Sequence, residues 1–183
     1  ETGRAAIWYS NKITIEGCKF NGVKILRECN SVNICNTDII STEPFWYCKD
    51  INIIHSSLQG EYAFLNSKNI NITDLKFKGK YSFQYVSDVV IKDSYLDTKD
   101  AFWGSNNVTV YNSTVKGEYL GWYAKNLKLI NCTIIGTQPL CYCDNLVVEN
   151  CEMIDTDFSF EYSTVKATIN NEIISVKNPI SGY

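Results

Sequence analysis

The chain is poor in the residues that much enzyme chemistry requires. Its 183 residues include one histidine, His55, and two arginines, Arg4 and Arg27. No triad forms around the histidine in the sequence. It stands where neighbouring repeats carry Asn or Asp, so it reads as a corner residue making a hydrogen bond. Two arginines are thin material for a lyase that must neutralise a uronate. The net charge of −3 leaves no basic surface to invite nucleic acid. No apolar run approaches the roughly 18 residues that cross a bilayer, and no signal peptide is in view. Cys141-Tyr-Cys143 with Cys132 or Cys151 matches no zinc spacing, so no metal or cofactor is expected.

What the chain has is a period. From Ile13 in steps of nineteen, Val32, Ile51, Ile70, Val89, Val108, Leu127, Leu146 and Val165 are all aliphatic, with no insertion. Taking that column as position 0, position +2 is aliphatic again (Ile15, Ile34, Ile53) and +1 mostly polar, which is the alternation of a half-buried strand. Positions +7 (Phe20, Ile39, Leu58, Phe77) and −6 (Leu26, Phe45, Phe64, Phe83, Phe102) add two more apolar columns. Each turn therefore offers three short inward stretches separated by corners.

The corners carry their own columns. Position +4 holds Asn36, Asp74, Asp93, Asn112, Asn131 and Asn150, and position −1 holds Asp50, Asn69, Asp88, Asn107, Asn126 and Asn145. Asn and Asp tolerate left-handed backbone, and stacked amides bond along a column as an asparagine ladder. Glycine recurs at +9. A leucine-rich repeat would place its Asn one residue later, a hexapeptide helix would show a six-residue sub-period, and the calcium-binding nonapeptide is absent. The pattern predicts an all-β, single-stranded right-handed parallel β-helix of about nine coils, each buried by stacking on the next. Residues 4–183 form one domain. Residues 1–3 read equally as native sequence or as a remnant of expression, with further coils and a cap expected before Arg4. The bare first coil, Ala5 to Ile7, is the expected point of self-association, while Pro179 marks a finished C-terminal end.

The segments Ala101-Phe-Trp-Gly-Ser-Asn-Asn-Val108, Gly117-Glu-Tyr-Leu-Gly-Trp-Tyr123, Ile135-Gly-Thr-Gln-Pro-Leu-Cys-Tyr-Cys143 and Met153-Ile-Asp-Thr-Asp157 resemble a bacterial family of unknown function. That family is similar to the pectin-lyase-like right-handed β-helix proteins. The resemblance runs from Arg4 to the end. It implies the fold and carries over no catalytic residue.

Eight cysteines suggest disulfides until their columns are read. Cys18, Cys132 and Cys151 share +5, and Cys29, Cys48 and Cys143 share −3, both columns otherwise small. Stacked in register, their Cβ atoms would lie about 4.8 Å apart, beyond the ~3.8 Å of a disulfide. They read as reduced apolar fillers, which suits the bacterial cytoplasm, secretion staying open. The sequons at Asn71, Asn107, Asn112 and Asn131 read as by-products of the ladders.

Two groups of residues are candidates for function. All four tryptophans, Trp8, Trp46, Trp103 and Trp122, share position −5, a column that also holds Arg27, Cys141 and Phe160. Tyr47, Tyr85 and Tyr123, with Tyr9 and Tyr142, share −4. Such a face suits a glycan or a protein partner; packing against the next corner is the alternative, and alternation does not settle which column faces solvent. Glu61, Asp100 and Glu118 are the catalytic candidates of a rival carbohydrate-active enzyme, a glycoside hydrolase or polysaccharide lyase; as charges on a solvated corner they need no such role. Because no long excursion builds a cleft, the reading favours a non-catalytic scaffold with an aromatic binding face. An element assembling end to end is a third possibility.

Overall fold

The computed structural model describes residues 3–183; the question of a remnant at residues 1–3 falls, for Glu1 and Thr2, outside them. Among the described residues there are sixteen strands and no helix, and every strand pairing is parallel. The first face stacks Ile13 on Val32, Ile51, Ile70 and Val89 in unbroken steps of one coil. The second face stacks Phe20, Ile39, Leu58, Phe77 and Leu96. In most coils the +4 corner separates the two strands, whereas Lys49–Glu61 and Lys68–Lys80 run through it. The fold is a parallel β-solenoid with about nineteen residues per turn.

The third face is not a pleated strand. In one coil Tyr62, Phe64 and Asn66 are left-handed, with φ of 56°, 66° and 52°. The same three offsets are left-handed in coil after coil. Phe64 N–H donates back to Pro44 O at 3.0 Å, while Tyr62 and Asn66 donate forward to Lys80 O and Gln84 O at 3.0 and 3.1 Å. Reversing handedness at alternate residues removes the two-residue alternation. Ala63 and Phe64 both point inward and are fully buried, and Leu65 and Asn66 both point outward. A left-handed non-glycine residue costs about 1–2 kcal/mol. Burying a phenylalanine returns about 1.5–3 kcal/mol. Phe45, Phe64 and Phe83 stack at 4.7 and 4.6 Å with 8° between planes, which adds to that return. Gly121 interrupts the column because a Cβ there would stand 2.9 Å from Leu140 Cδ2 and 3.0 Å from Leu127 Cδ2.

The cysteine columns are more than filler. Thr37, Leu75 and Ser94 N–H each donate to the hydroxyl one coil on, at 3.1, 3.0 and 2.9 Å. Cys29 and Cys132 N–H donate in the same way to Cys48 and Cys151 Sγ at 3.4 and 3.3 Å. Serine, threonine and cysteine interchange here because each puts an acceptor under a backbone N–H. The asparagine ladders are present, with Asn107 bonded to Asp88 at 2.6 Å and Asn150 to Asn131 at 2.8 Å, and they lie at the solvent surface.

The repeat slips twice near the C-terminal end: Cys151 pairs with Ile169, eighteen residues on, and an earlier slip precedes it. Tyr119 N–H reaches Thr137 O eighteen residues on, but Gln138 N–H reaches Asp157 O nineteen on. Residues 157–163 run one position late, and register returns at Leu146–Val165. Phe160 therefore belongs to the inward column above Leu140 and is buried, not to the tryptophan column. The winding continues past Ile169: Ser181–Gly182 pairs with Thr164–Val165, a further, shortened turn.

Candidate aromatic binding face

The tryptophan and tyrosine columns both lie on the outside of the third face, since the chain there does not alternate. The tryptophans are the more buried. Trp46 and Trp122 lay their indoles across to the next coil and donate Nε1–H to Tyr62 O at 2.5 Å and Gln138 O at 2.8 Å. Trp103 stacks on Trp122 at 5.6 Å. Trp46 and Trp122 are thus anchored, and their polar edge is spent. The tyrosines project further: Tyr9 is 71% exposed, Tyr47 50%, Tyr85 53% and Tyr123 47%.

Ring attitude follows from the stacking. Tyr123, Tyr142 and Tyr162 lie face to face at 4.9 and 5.6 Å, with interplanar angles of 15° and 28°. Coils succeed one another along the rod, so these faces look along its axis and the rim presents ring edges and hydroxyls. Tyr123 stands at 77° to Trp122, and Tyr47 and Tyr9 likewise stand edge-on to their own tryptophans, at 85° to Trp46 and 83° to Trp8.

Between Trp8 and Trp46 the column holds Arg27. Its Cζ lies 5.5 Å from one ring and 4.8 Å from the other, and 6.0 Å from the Tyr47 ring as well, a threefold cation–π contact. Its charge is met by Glu28 at 3.7 Å and Glu43 at 3.9 Å. Four more cations near the face are paired: Lys24 with Glu43, Lys80 with Glu61 at 3.1 Å, Lys99 with Glu118 at 2.8 Å, and Lys177 with Glu161 at 3.1 Å.

Those pairs occupy two of the three carboxylates singled out in the sequence. Glu61 and Glu118 are each held by a lysine. Asp100 sits beside Glu118, its N–H donating to Glu118 O at 2.9 Å. It takes the place of a ring in the column of Tyr62, Tyr81 and Tyr119. Burial there pushes its carboxyl above the usual range, with Lys99 opposing and the Glu118 charge adding. Asp100, Lys99 and Glu118 thus come together, Glu61 stands apart with Lys80, and no wall encloses either group. His55 does find a carboxylate, one coil on: its Nδ1 lies 2.7 Å from Asp74 Oδ2. Ser57, near them, gives its hydroxyl to Asp38 at 2.6 Å, so no triad is assembled. Among the described residues no three His, Cys, Asp or Glu converge to hold a metal ion. A shallow hollow of about 500 Å³ lies away from the aromatics on the second face, over Gly60 and Gly79 beside the half-exposed Ile40. A Cβ at Gly60 would stand 1.7 Å from Ser41 O, so the floor of that hollow is bare backbone.

Sequence reasoning located both aromatic columns. It placed Arg27 in the tryptophan column and Tyr62 with Tyr81 in another without seeing the sandwich or the 4.8 Å stack, and it missed Tyr162, which the slip displaces from its column.

The model of a family described as protein of unknown function, DUF3737, matches residues 1–183. No curated protein matches the chain. Among solved structures the chain is similar to a trypsin-treated point variant of QnrB1, a plasmid-mediated fluoroquinolone resistance protein. The identity is 9% and the TM-score 0.28, over 97% of this chain and 89% of that one.

Proposed function

The chain belongs to the DUF3737 family of unknown function, and we propose that it is a non-catalytic scaffold binding an elongated, uncharged partner along its aromatic face. One observation carries this reading. Tyr9, Tyr47, Tyr85 and Tyr123 recur every 38 residues, which is every second coil. At about 4.8 Å per coil they form a straight row of projecting rings roughly 9.6 Å apart. A regular row on a rigid rod suits a linear partner with a matching repeat. The internally paired charges along the row favour a partner with little charge of its own.

The pectin-lyase-like likeness, and with it the carbohydrate-active enzyme, has less support. Its candidate acids are tied to lysines or buried, on a side of the rod with no cleft to exclude water.

Titration calorimetry against neutral oligosaccharides and neutral proline-rich peptides tests the proposal. The double variant Tyr47→Ala/Tyr85→Ala should weaken binding at least tenfold, and Thr109→Ala on the first face should leave it unchanged. If neither class binds at millimolar concentration, or both variants behave alike, the proposal fails.

A further inference from the structure

The tyrosine row is not continuous in its N-terminal half, and its gaps have a shape. Glu28 lies between Tyr9 and Tyr47, and Asn66 between Tyr47 and Tyr85. At each gap two rings stand two coils apart with a small or flexible side chain between them. The next gap, at Gly104, is closed: Tyr85 leans over it so far that a Cβ there would lie 2.7 Å from its ring. Two adjacent slots remain, the first bordered by Arg27, whose Cζ lies 6.0 Å from the Tyr47 ring and whose Nε meets Glu28 at 3.7 Å.

The chain itself demonstrates what such a slot holds. Arg27 fills the equivalent gap between Trp8 and Trp46, one flat group lying 5.5 and 4.8 Å from the two rings. A spacing of two coils therefore accepts one compact, flat insertion between aromatic faces.

We infer that the partner is a polyproline II segment carrying proline at positions i and i+3, lying along the rod with one pyrrolidine ring in each slot. This rests on the aromatic face being the binding surface. A polyproline II helix has three residues per turn and a rise of about 3.1 Å, so every third side chain falls on one side at about 9.3 Å intervals. The slots repeat at about 9.6 Å, and over two slots the mismatch stays near 0.3 Å. The helix has no internal hydrogen bonds, leaving its carbonyls to accept from the hydroxyls at the rims of Tyr47 and Tyr85. Aromatic-lined grooves reading proline-rich segments use the same physics elsewhere. A sugar chain laid along the same line meets ring edges rather than faces, because the faces look along the axis. Stacking of sugar rings on open platforms is thus disfavoured here, and the neutral face suits an uncharged proline-rich segment.

The test uses the full chain and a blocked twelve-residue peptide of Pro-Pro-Gln repeats. The controls are a peptide of the same composition with the three-residue spacing scrambled, and neutral linear oligosaccharides. The repeat peptide should bind, and the scrambled one at least tenfold more weakly. Tyr47→Phe keeps the ring and removes the hydroxyl, and should weaken binding three- to tenfold. Asn66→Tyr is the sharper probe. Tyrosine is already accommodated at this left-handed offset on both sides, at Tyr47 and Tyr85 with φ of 56° and 55°. The variant should keep its melting temperature, complete the stack and fill the slot, reducing peptide binding at least tenfold. Unchanged or tighter binding by Asn66→Tyr overturns the inference, as does equal binding of the scrambled peptide. Binding of oligosaccharides without the peptide overturns it and leaves the aromatic face standing as a binding surface. Binding of neither removes both.

Discussion

Replacing Asn131 separates two contributions that the corner ladder combines. Its Nδ2 donates to Asn112 Oδ1 at 3.2 Å, and its Oδ1 accepts from Asn150 Nδ2 at 2.8 Å. Its backbone is left-handed, with φ of 53°. The sequence alone suggests buried partners whose loss would cost about 1–3 kcal/mol through unsatisfied groups. The ladder is solvated, so water takes over when the amide goes, and each bond is worth the low end of about 0.5–1.5 kcal/mol. Asn131→Gly, which keeps the backbone relaxed, should therefore cost about 1 kcal/mol. Asn131→Leu loses the same bonds and adds about 1–2 kcal/mol for a side chain forced into the left-handed region, a total of about 2–3 kcal/mol. Urea titration followed by circular dichroism reads both, with Thr109→Ala as a reference expected below about 0.5 kcal/mol. If glycine costs as much as leucine, backbone strain is not what selects Asn here. If leucine costs no more than Thr109→Ala, the ladder contributes nothing.

Phe64→Ala, which opens a hole between two stacked rings in a fully buried column, should cost about 3–5 kcal/mol; a urea midpoint unchanged from wild type would contradict that packing. Asp100 holds its proton more tightly in the folded chain than the ordinary value of 3.8, because of burial. Its ionised form therefore costs stability, a cost absent below about pH 3.8 and growing as pH rises above it. Asp100→Asn should raise the urea midpoint at pH 7 and leave it unchanged at pH 3; a gain of the same size at both would refute the assignment. Burial pushes the thiols of Cys48 and Cys143 up to about 12 and that of Cys141 to about 11. Maleimide at pH 8 should label the half-buried Cys18 and Cys35 first, with all eight reacting in denaturant; two or more missing thiols would reveal disulfides.

Much of this was legible because a solenoid repeats its burial pattern. Ile13, Val32 and Ile51 differ little in chemistry and coincide in register, so the columns name the faces. The third face resisted for a physical reason. Its period-two signal is cancelled by left-handed residues, and large aromatics such as Phe64 give no hint that they adopt them. The position of Phe160 was hidden by a slip of one residue, invisible when Val165 restores the count. Of the candidate site, the tyrosine row could be read from spacing alone. The attitude of its rings could not, because it depends on what each ring rests against. The corner column, by contrast, placed Asp74 one coil beyond His55, where the two do bond.

The uniform nineteen-residue step has a consequence for how such a chain is made and altered. Hydrogen bonds between coils join residues about one tenth of the chain apart. That is a separation more typical of fast-folding helical bundles than of sheets. A nascent chain completes contacts one loop at a time and need not wait for a distant strand. The same locality makes length a free variable up to the slip at Asp157, since excising nineteen residues between Ile13 and Leu120 rejoins like to like on all three faces. The tyrosine row obeys a stricter arithmetic. Removing one coil puts it out of phase with itself, and removing two restores it, so shortening the rod in single steps would alternate a broken ruler with a whole one.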